Sequence, residues 1–383
     1  MKIVVGGYIV AYPLGGMTWH HLNYLLGLED LGHEVLFLED SGSYAVPYNP
    51  TKQICENDSA FGRAYLERTF REFGLKARWC YYSEFEDQYY GATREQLNDA
   101  LRDADLLLCV SGVTPLRDDR PRPRRAAVID TDPVFTQIKL GENPALLNYY
   151  RNFDAVATFG RLVGTSDCPL PTHGIRWIPT NQPVALKHWP VVPTRSRTFT
   201  TIGKWEHAGA RHVEFAGRPY QSSKSVALME LLDLPPQVKW DMSVAMKGMP
   251  ADIEQQFRDH GWTVTDAEAA SADCGTFRAF IQQSAGEFTV VKQIYSGLLS
   301  GWFSDRAACY LASGRPVVTQ ASGFDRWLPI GEGLFSFHTV DQAADALNTI
   351  SGDYERHARA ARRTAEMHFD SRLVLRDLLD AMM

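Results

Sequence analysis

This 383-residue sequence contains no apolar run close to the roughly eighteen residues that a membrane-spanning helix needs. It also lacks a C-x-x-C pair, an H-E-x-x-H motif and a G-x-G-x-x-G fingerprint, which argues against common zinc, redox and dinucleotide sites. No internal repeat is evident, so a solenoid or a propeller is not predicted. These absences indicate a globular protein, and its function must be inferred from features other than the common motifs.

Charge and cysteine content narrow the class further. The net charge is −7, which argues against a general binder of nucleic acid or of an anionic membrane, so nucleic acid is not predicted as a partner. A basic cluster at residues 117–125 is interrupted by prolines and acids and is predicted to be a solvated loop. The six scattered cysteines favour reduced, mostly buried thiols. Together with an N-terminus that has no signal-peptide cleavage site, they predict a cytoplasmic protein.

The alternation of strand and helix patterns predicts the fold. In the first half a strand at Lys2–Val5, a helix at Gly16–Leu31 and a strand at His33–Leu38 form a βαβ unit, which implies parallel strands. Further predicted elements of this half are strands at Asp105–Val110, Ala126–Ile129 and Asp154–Thr158, and helices at Ser59–Phe73 and Thr93–Asp103.

The alternation stops at residues 182–198, which contain three prolines and form the predicted linker. It then restarts with a strand at Phe199–Gly203, a helix at Lys224–Leu232, a strand at Val238–Ala245, a helix at Asp252–His260 and a strand at Phe288–Val291. We therefore predict an α/β protein of two doubly wound, Rossmann-like domains, at residues 1–185 and 198–364, that face a central cleft.

The segment Ser304–Phe337 reads as a helix that ends at Gly314, a short buried strand, a glycine turn and a second strand. Its C-Y-L-A-S-G-R-P-V-V run resembles the donor-sugar half of GT-B glycosyltransferases, of the "glycosyl transferases group 1" and spore-protein-like types. The resemblance implies the GT-B architecture, in which the C-terminal helix, here at about 365–383, packs back on the first domain. It also implies a nucleoside-diphosphate sugar as donor, with a UDP- or GDP-sugar favoured and no separate cofactor. Retaining enzymes of that group carry two glutamates at positions that correspond here to Gly301 and Cys309, so their mechanism is not carried over.

The same resemblance implies the donor-binding residues. The strand that ends in Gly203-Lys204 resembles the family strand whose basic residue meets the diphosphate, and Lys224 resembles the second phosphate-binding lysine. Two cations at this place suit a departing diphosphate, because negative charge develops on it. Asp305 and Arg306, at a predicted helix start, and the turn Ser322-Gly323-Phe324 are the remaining donor-binding candidates. Each of these charged residues also has a simpler interpretation, in which the lysines and the arginine are ordinary exposed surface residues and Asp305 only compensates the helix dipole in the first turn.

The loop after the first predicted strand supplies further candidates. Gly15 and Gly16 would let the backbone approach a ligand at a helix start, the alternative being a tight turn. Two adjacent histidines follow, and both are catalytic candidates. His20 shares a helical face with Tyr24, whereas His21 points with apolar neighbours, so His20 is the better candidate for the cleft. A histidine can take a proton from an acceptor hydroxyl, because its pKa lies near working pH.

An acidic pair follows the predicted strand Ala126–Ile129. Asp132 lies where open α/β sheets place ligands and is predicted to orient His20 or to bind acceptor hydroxyls. Two alternatives stay open, helix capping and a D-x-D metal-nucleotide site with Asp130.

These features predict a metal-independent glycosyltransferase that moves a sugar from a nucleoside-diphosphate sugar to a hydroxyl or amine of a small-molecule or saccharide acceptor. Aromatic-rich loops at Ser41–Cys55 and Tyr81–Gly91 are candidates for the acceptor side, and a homodimer is compatible with the sequence. The alternatives are a sugar-nucleotide 2-epimerase, a non-catalytic nucleotide-sugar-binding protein and a metal-dependent transferase.

Overall fold

The computed structural model describes residues 1–40, 42, 46–206 and 212–383. The first half alternates strands and helices in the order β1 (Lys2–Gly6), α1 (Gly15–Asp30), β2 (Glu34–Glu39), β3 (Tyr48–Asn49), β4 (Ile54–Cys55), α2 (Ala60–Glu72), β5 (Arg78–Ser83), β6 (Gln88–Gly91), α3 (Arg94–Asp103), β7 (Leu106–Val110), β8 (Ala126–Asp130), α4 (Phe135–Glu142), α5 (Pro144–Arg151), β9 (Ala155–Thr158) and β10 (Trp177–Pro179).

The second half continues with β11 (Thr198–Lys204), β12 (His212–Phe215), β13 (Arg218–Gln221), α6 (Ser225–Met229), β14 (Asp241–Lys247), α7 (Ala251–Asp259), β15 (Trp262–Thr265), α8 (Ala267–Ala270), α9 (Cys274–Gln283), β16 (Gly286–Thr289), α10 (Gln293–Leu298), α11 (Asp305–Ala312), β17 (Val317–Gln320), β18 (Leu334–Phe337), α12 (Val340–Gly352), α13 (Tyr354–His368) and α14 (Ser371–Met382).

Two sheets organise these elements. The first has the strand order β10-β9-β8-β7-β1-β2-β5-β6 and is parallel except for its β5–β6 edge. The second has the order β15-β14-β11-β16-β17-β18 and is parallel throughout. The prediction of two doubly wound α/β sheets is confirmed. The residue limits of the two domains stay predictions.

The central strands are apolar along their whole length because helices cover both faces of a parallel sheet. Every residue of β7, with sequence LLLCV, is buried, and so is every residue of β8. Each sheet reverses its strand order at its first strand, since β1 lies between β7 and β2, and β11 lies between β14 and β16. These two points matter below, because ligands bind outside the carboxyl ends of strands at such reversals.

Helix α1 packs against elements of both halves of the molecule. Tyr24 and Leu25 belong to the apolar core under the first sheet, whereas Trp19 and Leu22 pack in a cluster with residues of α9 and α11. Helix α1 also contacts α14. The two helices approach so closely at Gly27 that an added Cβ would lie 2.5 Å from a methyl group of Leu375. The last helix is therefore part of the core that α1 and the first sheet share.

The predicted segment at 304–337 is confirmed in detail. Helix α11 ends in a Schellman motif, in which the Gly314 N–H bonds the Leu311 carbonyl at 2.9 Å and the Arg315 N–H bonds the Tyr310 carbonyl at 2.9 Å. Gly314 has a φ of +67°, which glycine adopts without steric cost. Strands β17 and β18 follow, and Gly323 with a φ of +91° makes the turn between them.

Other elements differ from the sequence-based predictions. The helix expected at Lys224–Leu232 is confined to α6, because i→i+3 bonds tighten the chain ahead of Pro235. The segment Tyr81–Gly91, expected to be a loop, lies in the β5–β6 hairpin. The other predicted acceptor segment, Ser41–Cys55, lies partly outside the described residues, Tyr44 included. The hairpin β12–β13 and strand β15 were not predicted.

The basic cluster at 117–125 is also better ordered than expected. Asp40 is fully buried, and its carboxylate pairs with Arg117 at 2.7 Å and with Arg120 at 2.5 Å. These arginines therefore anchor a loop to the end of β2 rather than leaving it in solvent. All six cysteines are free thiols, and only Cys55 is exposed, in agreement with the prediction. Within the described ranges, none of the helices combines the length and the apolar character of a membrane span.

Candidate active site

A cavity of about 230 Å³ lies at the reversal points of both sheets. One wall is the start of α1, which follows β1. The opposite wall consists of the ends of β11 and β14, of helices α8 and α11, and of the start of the segment between α8 and α9. The two walls include Gly16, Met17, Trp19, His20 and Asn23 on one side, and Ile202, Gly203, Lys204, Lys247, Glu268, Ser271, Asp305, Arg306 and Cys309 on the other. The fold thus brings five of the predicted site residues together, His20, Gly16, Lys204, Asp305 and Arg306, and their roles stay predictions.

His20 is held at both ring nitrogens. Its Nδ1 lies 3.3 Å from a carboxylate oxygen of Asp305, and its Nε2 lies 3.3 Å from the hydroxyl of Ser111. Ser111 directly follows β7 and in turn accepts a hydrogen bond of 2.9 Å from the Thr131 hydroxyl. The partner of His20 is therefore Asp305 on α11, and the predicted orienting residue Asp132 bonds elsewhere.

His21 occupies a different environment. It is fully buried, and burial next to His20 lowers its pKa well below the usual histidine value. Its Nε2 accepts the backbone N–H of Tyr8 at 3.3 Å. Gly7 packs so closely on the ring that an added Cβ would lie 2.6 Å from Nδ1. His21 thus holds the loop after β1. It does not line the cavity, which is the position that a catalytic residue would need.

The glycine amides at the start of α1 are already bonded. The Gly15 N–H donates to the Ser271 carbonyl at 2.7 Å, and the Gly16 N–H donates to the Ser271 hydroxyl at 3.1 Å. An added Cβ on Gly15 would lie 2.2 Å from the Asp273 carbonyl oxygen, so these glycines permit close contact between α1 and the segment before α9. The predicted approach of ligand to these two amides is replaced by this protein contact.

The acidic pair after β8 is also engaged within the protein. Asp130 is buried and accepts hydrogen bonds from Thr136 at 2.7 Å, Gln137 at 3.0 Å and Thr158 at 2.9 Å. Burial raises the pKa of Asp130 to about 6. Asp132 accepts a hydrogen bond from the hydroxyl of Tyr295 and caps no helix, since α4 begins at Phe135. Asp132 therefore links the two halves of the molecule instead of contacting His20.

Arg306 lines the cavity, yet its guanidinium bonds within the protein. Its Nε lies 2.5 Å from the fully buried carboxylate of Glu287, one Nη donates to the Ile202 carbonyl at 2.6 Å, and the other donates to the Thr289 hydroxyl at 2.8 Å. Lys224 is half-buried beside this pair, and burial together with repulsion by Arg306 lowers its pKa below the usual lysine value. Lys204 is the exposed cation at the end of β11.

The turn after β17 lies in the core. The Ser322 hydroxyl donates to the Trp302 carbonyl, and Phe324 is 1% exposed. An added Cβ on Gly323 would lie 3.0 Å from a methyl group of Leu162. None of the three lines the cavity, so their close packing replaces the predicted contact with donor hydroxyls.

Sequence reasoning missed several cavity residues. Lys247 ends β14 and pairs with Glu268, which also accepts hydrogen bonds from the hydroxyl of Tyr48 and, at 2.7 Å, from the amide of Gln53. Lys247 could have been found as a cation at the end of a predicted strand. Ser111, which bonds His20 and does not itself line the cavity, likewise follows an apolar run, but neither position carries a motif.

No family model matches this sequence, and a search of curated proteins finds no match. Solved structures do resemble it. An alpha-glucosyltransferase in complex with UDP and a 13-mer DNA containing a central A:G mismatch gives a TM-score of 0.61 at 11% identity, covering 99% of this chain and 98% of that one. AviGT4, a glycosyltransferase involved in avilamycin A biosynthesis, gives 0.57 at 12% identity, with 100% and 97% covered. Sucrose-phosphate synthase from Thermosynechococcus elongatus gives 0.54 at 11% identity, with 100% and 99% covered.

These comparisons confirm the two-domain GT-B fold over nearly the whole chain. They also contradict the prediction that nucleic acid is excluded as a partner, because chains of this fold are solved in complex with DNA. The prediction rested on the net charge of −7, which averages over the surface and does not describe the potential of one face.

Proposed function

We propose that this protein is a glycosyltransferase that moves a sugar from a nucleoside-diphosphate sugar to a hydroxyl or amine of an acceptor, without a bound metal ion. The observation that carries the proposal is the position of the cavity at the reversal points of two facing parallel sheets. Such a position suits a ligand that both halves must hold. A donor would lie on the β11 side and an acceptor on the α1 side.

The charges of the second wall suit a departing diphosphate. Lys204 and Lys247 lie at the carboxyl ends of neighbouring strands, and Arg306 lies at the start of α11. Negative charge grows on the leaving diphosphate as the glycosidic bond breaks, so fixed cations stabilise the transition state more than the ground state. Since the guanidinium of Arg306 is bonded to protein groups, Lys204 is the cation best placed for direct contact.

The first wall offers a base. His20 faces the cavity and could take the proton of an acceptor hydroxyl during attack on the anomeric carbon. Metal independence is supported by the two aspartates after β8, since both carboxylate oxygens of Asp130 and one of Asp132 are bonded inside the protein. Within the described residues, no three His, Cys, Asp or Glu side chains form a group that would hold a metal ion.

Donor binding is tested first. Thermal unfolding is measured with UDP, GDP and their sugars, because a bound ligand raises stability in proportion to its affinity. Lys204→Ala is expected to weaken nucleotide binding about tenfold, as loss of one charge-assisted contact should. Lys239→Ala is the matched control, since Lys239 is exposed ahead of β14 and does not line the cavity. No stabilisation by any nucleotide or nucleotide sugar would refute the proposal.

Transfer is tested next, with saccharides, small alcohols and amines, and DNA as acceptors in the presence and absence of EDTA. DNA is included because three of the compared structures contain it. Glycosylated acceptor formed equally well in EDTA would support the proposal. A changed sugar still attached to its nucleotide would indicate an epimerase instead. Tight binding without turnover, unaffected by His20→Ala, would indicate a binding protein.

A further inference from the structure

The hydrogen bonds around His20 define one direction of proton donation. The Asp305 carboxylate accepts the backbone N–H of Arg306 at 2.8 Å and faces His20 Nδ1 at 3.3 Å. A carboxylate has only acceptor positions, so a neutral imidazole at this place carries its proton on Nδ1. Nε2 is then an acceptor and faces the hydroxyl of Ser111 at 3.3 Å.

Ser111 fits this direction. Its oxygen accepts the Thr131 hydroxyl at 2.9 Å, which leaves its own hydrogen for His20 Nε2. Ser111 is half-buried and has a φ of +65°, a left-handed conformation that costs a residue with a Cβ about 1 kcal/mol. It lies at the carboxyl end of β7, the strand next to β1 at the reversal point of the first sheet. The backbone thus holds this hydroxyl in place at the edge where ligands bind.

We propose that Ser111, His20 and Asp305 form a proton relay across the boundary between the two sheets. Ser111 passes the proton of the acceptor hydroxyl to His20 Nε2, and Asp305 is the positioning residue that fixes the Nδ1–H tautomer. The relay deepens the proposed function and rests on it, because it assumes sugar transfer to a hydroxyl.

The chemical step is balanced. The acceptor oxygen forms a bond to the anomeric carbon while the bond from that carbon to the diphosphate oxygen breaks, and the nucleoside diphosphate leaves with the electron pair. The acceptor proton moves to Ser111 Oγ as the proton of Ser111 moves to His20. The resulting imidazolium is stabilised by the carboxylate of Asp305. His20 lies on α1 and Asp305 on α11, so base and positioning residue come from opposite sides of the cavity.

The first measurement needs no substrate. Imidazole ¹⁵N chemical shifts of the full-length protein, assigned to His20 with the His20→Ala variant, report which ring nitrogen carries the proton. We expect Nδ1–H in the wild type. Asp305→Asn can donate to Nδ1 and should move the proton to Nε2. Asp341→Asn is the matched control, because Asp341 is an exposed acid in the first turn of α12 and should leave the tautomer unchanged.

The second measurement is the rate of transfer. Asp305→Asn is expected to lower kcat by about 10²–10⁴-fold, because the wrong tautomer cannot accept a proton at Nε2. Ser111→Ala removes the hydroxyl and keeps the backbone strain, whereas Ser111→Gly removes the hydroxyl and relieves the strain. Equal losses of kcat of about 10²-fold in both variants, with unchanged affinity for UDP, would assign the effect to the hydroxyl.

Two results would overturn the relay: a wild-type imidazole proton on Nε2, or a wild-type kcat in Ser111→Gly. Failure of the proposed function looks different. In that case no donor would give transfer, while the Nδ1–H tautomer and its reversal in Asp305→Asn would still support the hydrogen-bond assignment.

Discussion

Removal of the Arg306 guanidinium should destabilise the protein far more than removal of an ordinary surface arginine. Arg306→Met deletes the three hydrogen bonds to Glu287, Ile202 and Thr289 and leaves a carboxylate that is 0% exposed without its counter-ion. Loss of one member of a buried ion pair costs about 3–5 kcal/mol. Such a loss is a large part of the 5–15 kcal/mol by which typical proteins are stable.

The dependence on pH has a definite sign. Burial already raises the pKa of Glu287, and Arg306 opposes that rise. Without Arg306 the folded-state pKa moves further above the unfolded value of 4.5, so stability is fully present below that value and is lost as pH rises through the folded-state pKa. The penalty of Arg306→Met should therefore be smaller at about pH 5 than at about pH 8.

Urea unfolding followed by both circular dichroism and tryptophan fluorescence provides the measurement, since two sheets can unfold in separate steps. Arg326→Met is the control, because Arg326 and Asp167 form an exposed ion pair, 41% and 54% exposed, whose loss should cost under about 1 kcal/mol. The double variant Arg306→Met with Glu287→Leu should recover most of the loss. A single variant as stable as the control, or a double variant less stable than the single, would refute the reasoning.

Three further predictions concern stability and reactivity. Gly27→Ala should lower the free energy of unfolding in urea by about 1–3 kcal/mol, because its methyl group would meet Leu375. Gly352→Ala is the control, because Gly352 has open space around it, and this change should be neutral or stabilising. Equal effects of the two changes would contradict the packing described. Burial raises the pKa of Asp130 to about 6 from a usual 3.8, so its ionisation should cost the wild type about 3 kcal/mol of stability as pH rises from about 4 to 6. This pH dependence should be absent in Asp130→Asn, and a wild-type profile that matches the variant would be the contrary result. Native protein should expose one fast-reacting thiol to a thiol reagent, and Cys55→Ser should abolish it, since the other five cysteines are buried.

Local sequence patterns predicted most of the fold because they act over short distances. Apolar runs of four or five residues gave the parallel strands, and Gly314 gave the end of α11 correctly, since its left-handed conformation follows from the chain around it. Strand β15, with the alternation W-T-V-T, is too short and too polar at its edge of the sheet to stand out. The helix predicted from Lys224 onward was too long, because Pro235 lacks the backbone N–H that an α-helix needs and disfavours helix in the turn before it, although the apolar pattern continues there.

The candidate site was less predictable, because its contacts join residues far apart in the chain. Helical spacing correctly separated His20 from the buried His21, but the partner of His20 lies on α11, and no local pattern connects the two. The position of Asp132 after a strand led to the prediction that it orients His20, whereas in the structure it accepts a hydrogen bond from Tyr295. The glycine amides of α1 appeared open in the sequence and are bonded to Ser271 in the fold.

The contact between α1 and α14 also constrains when the protein can fold. During synthesis α1 and the first sheet leave the ribosome early, yet the core they build includes Leu375, Leu378 and Leu379 of α14, which are made after the whole second sheet. Until then the surface of α1 that receives α14 stays uncovered. The core of the first half can therefore be completed only after the second half has been synthesised.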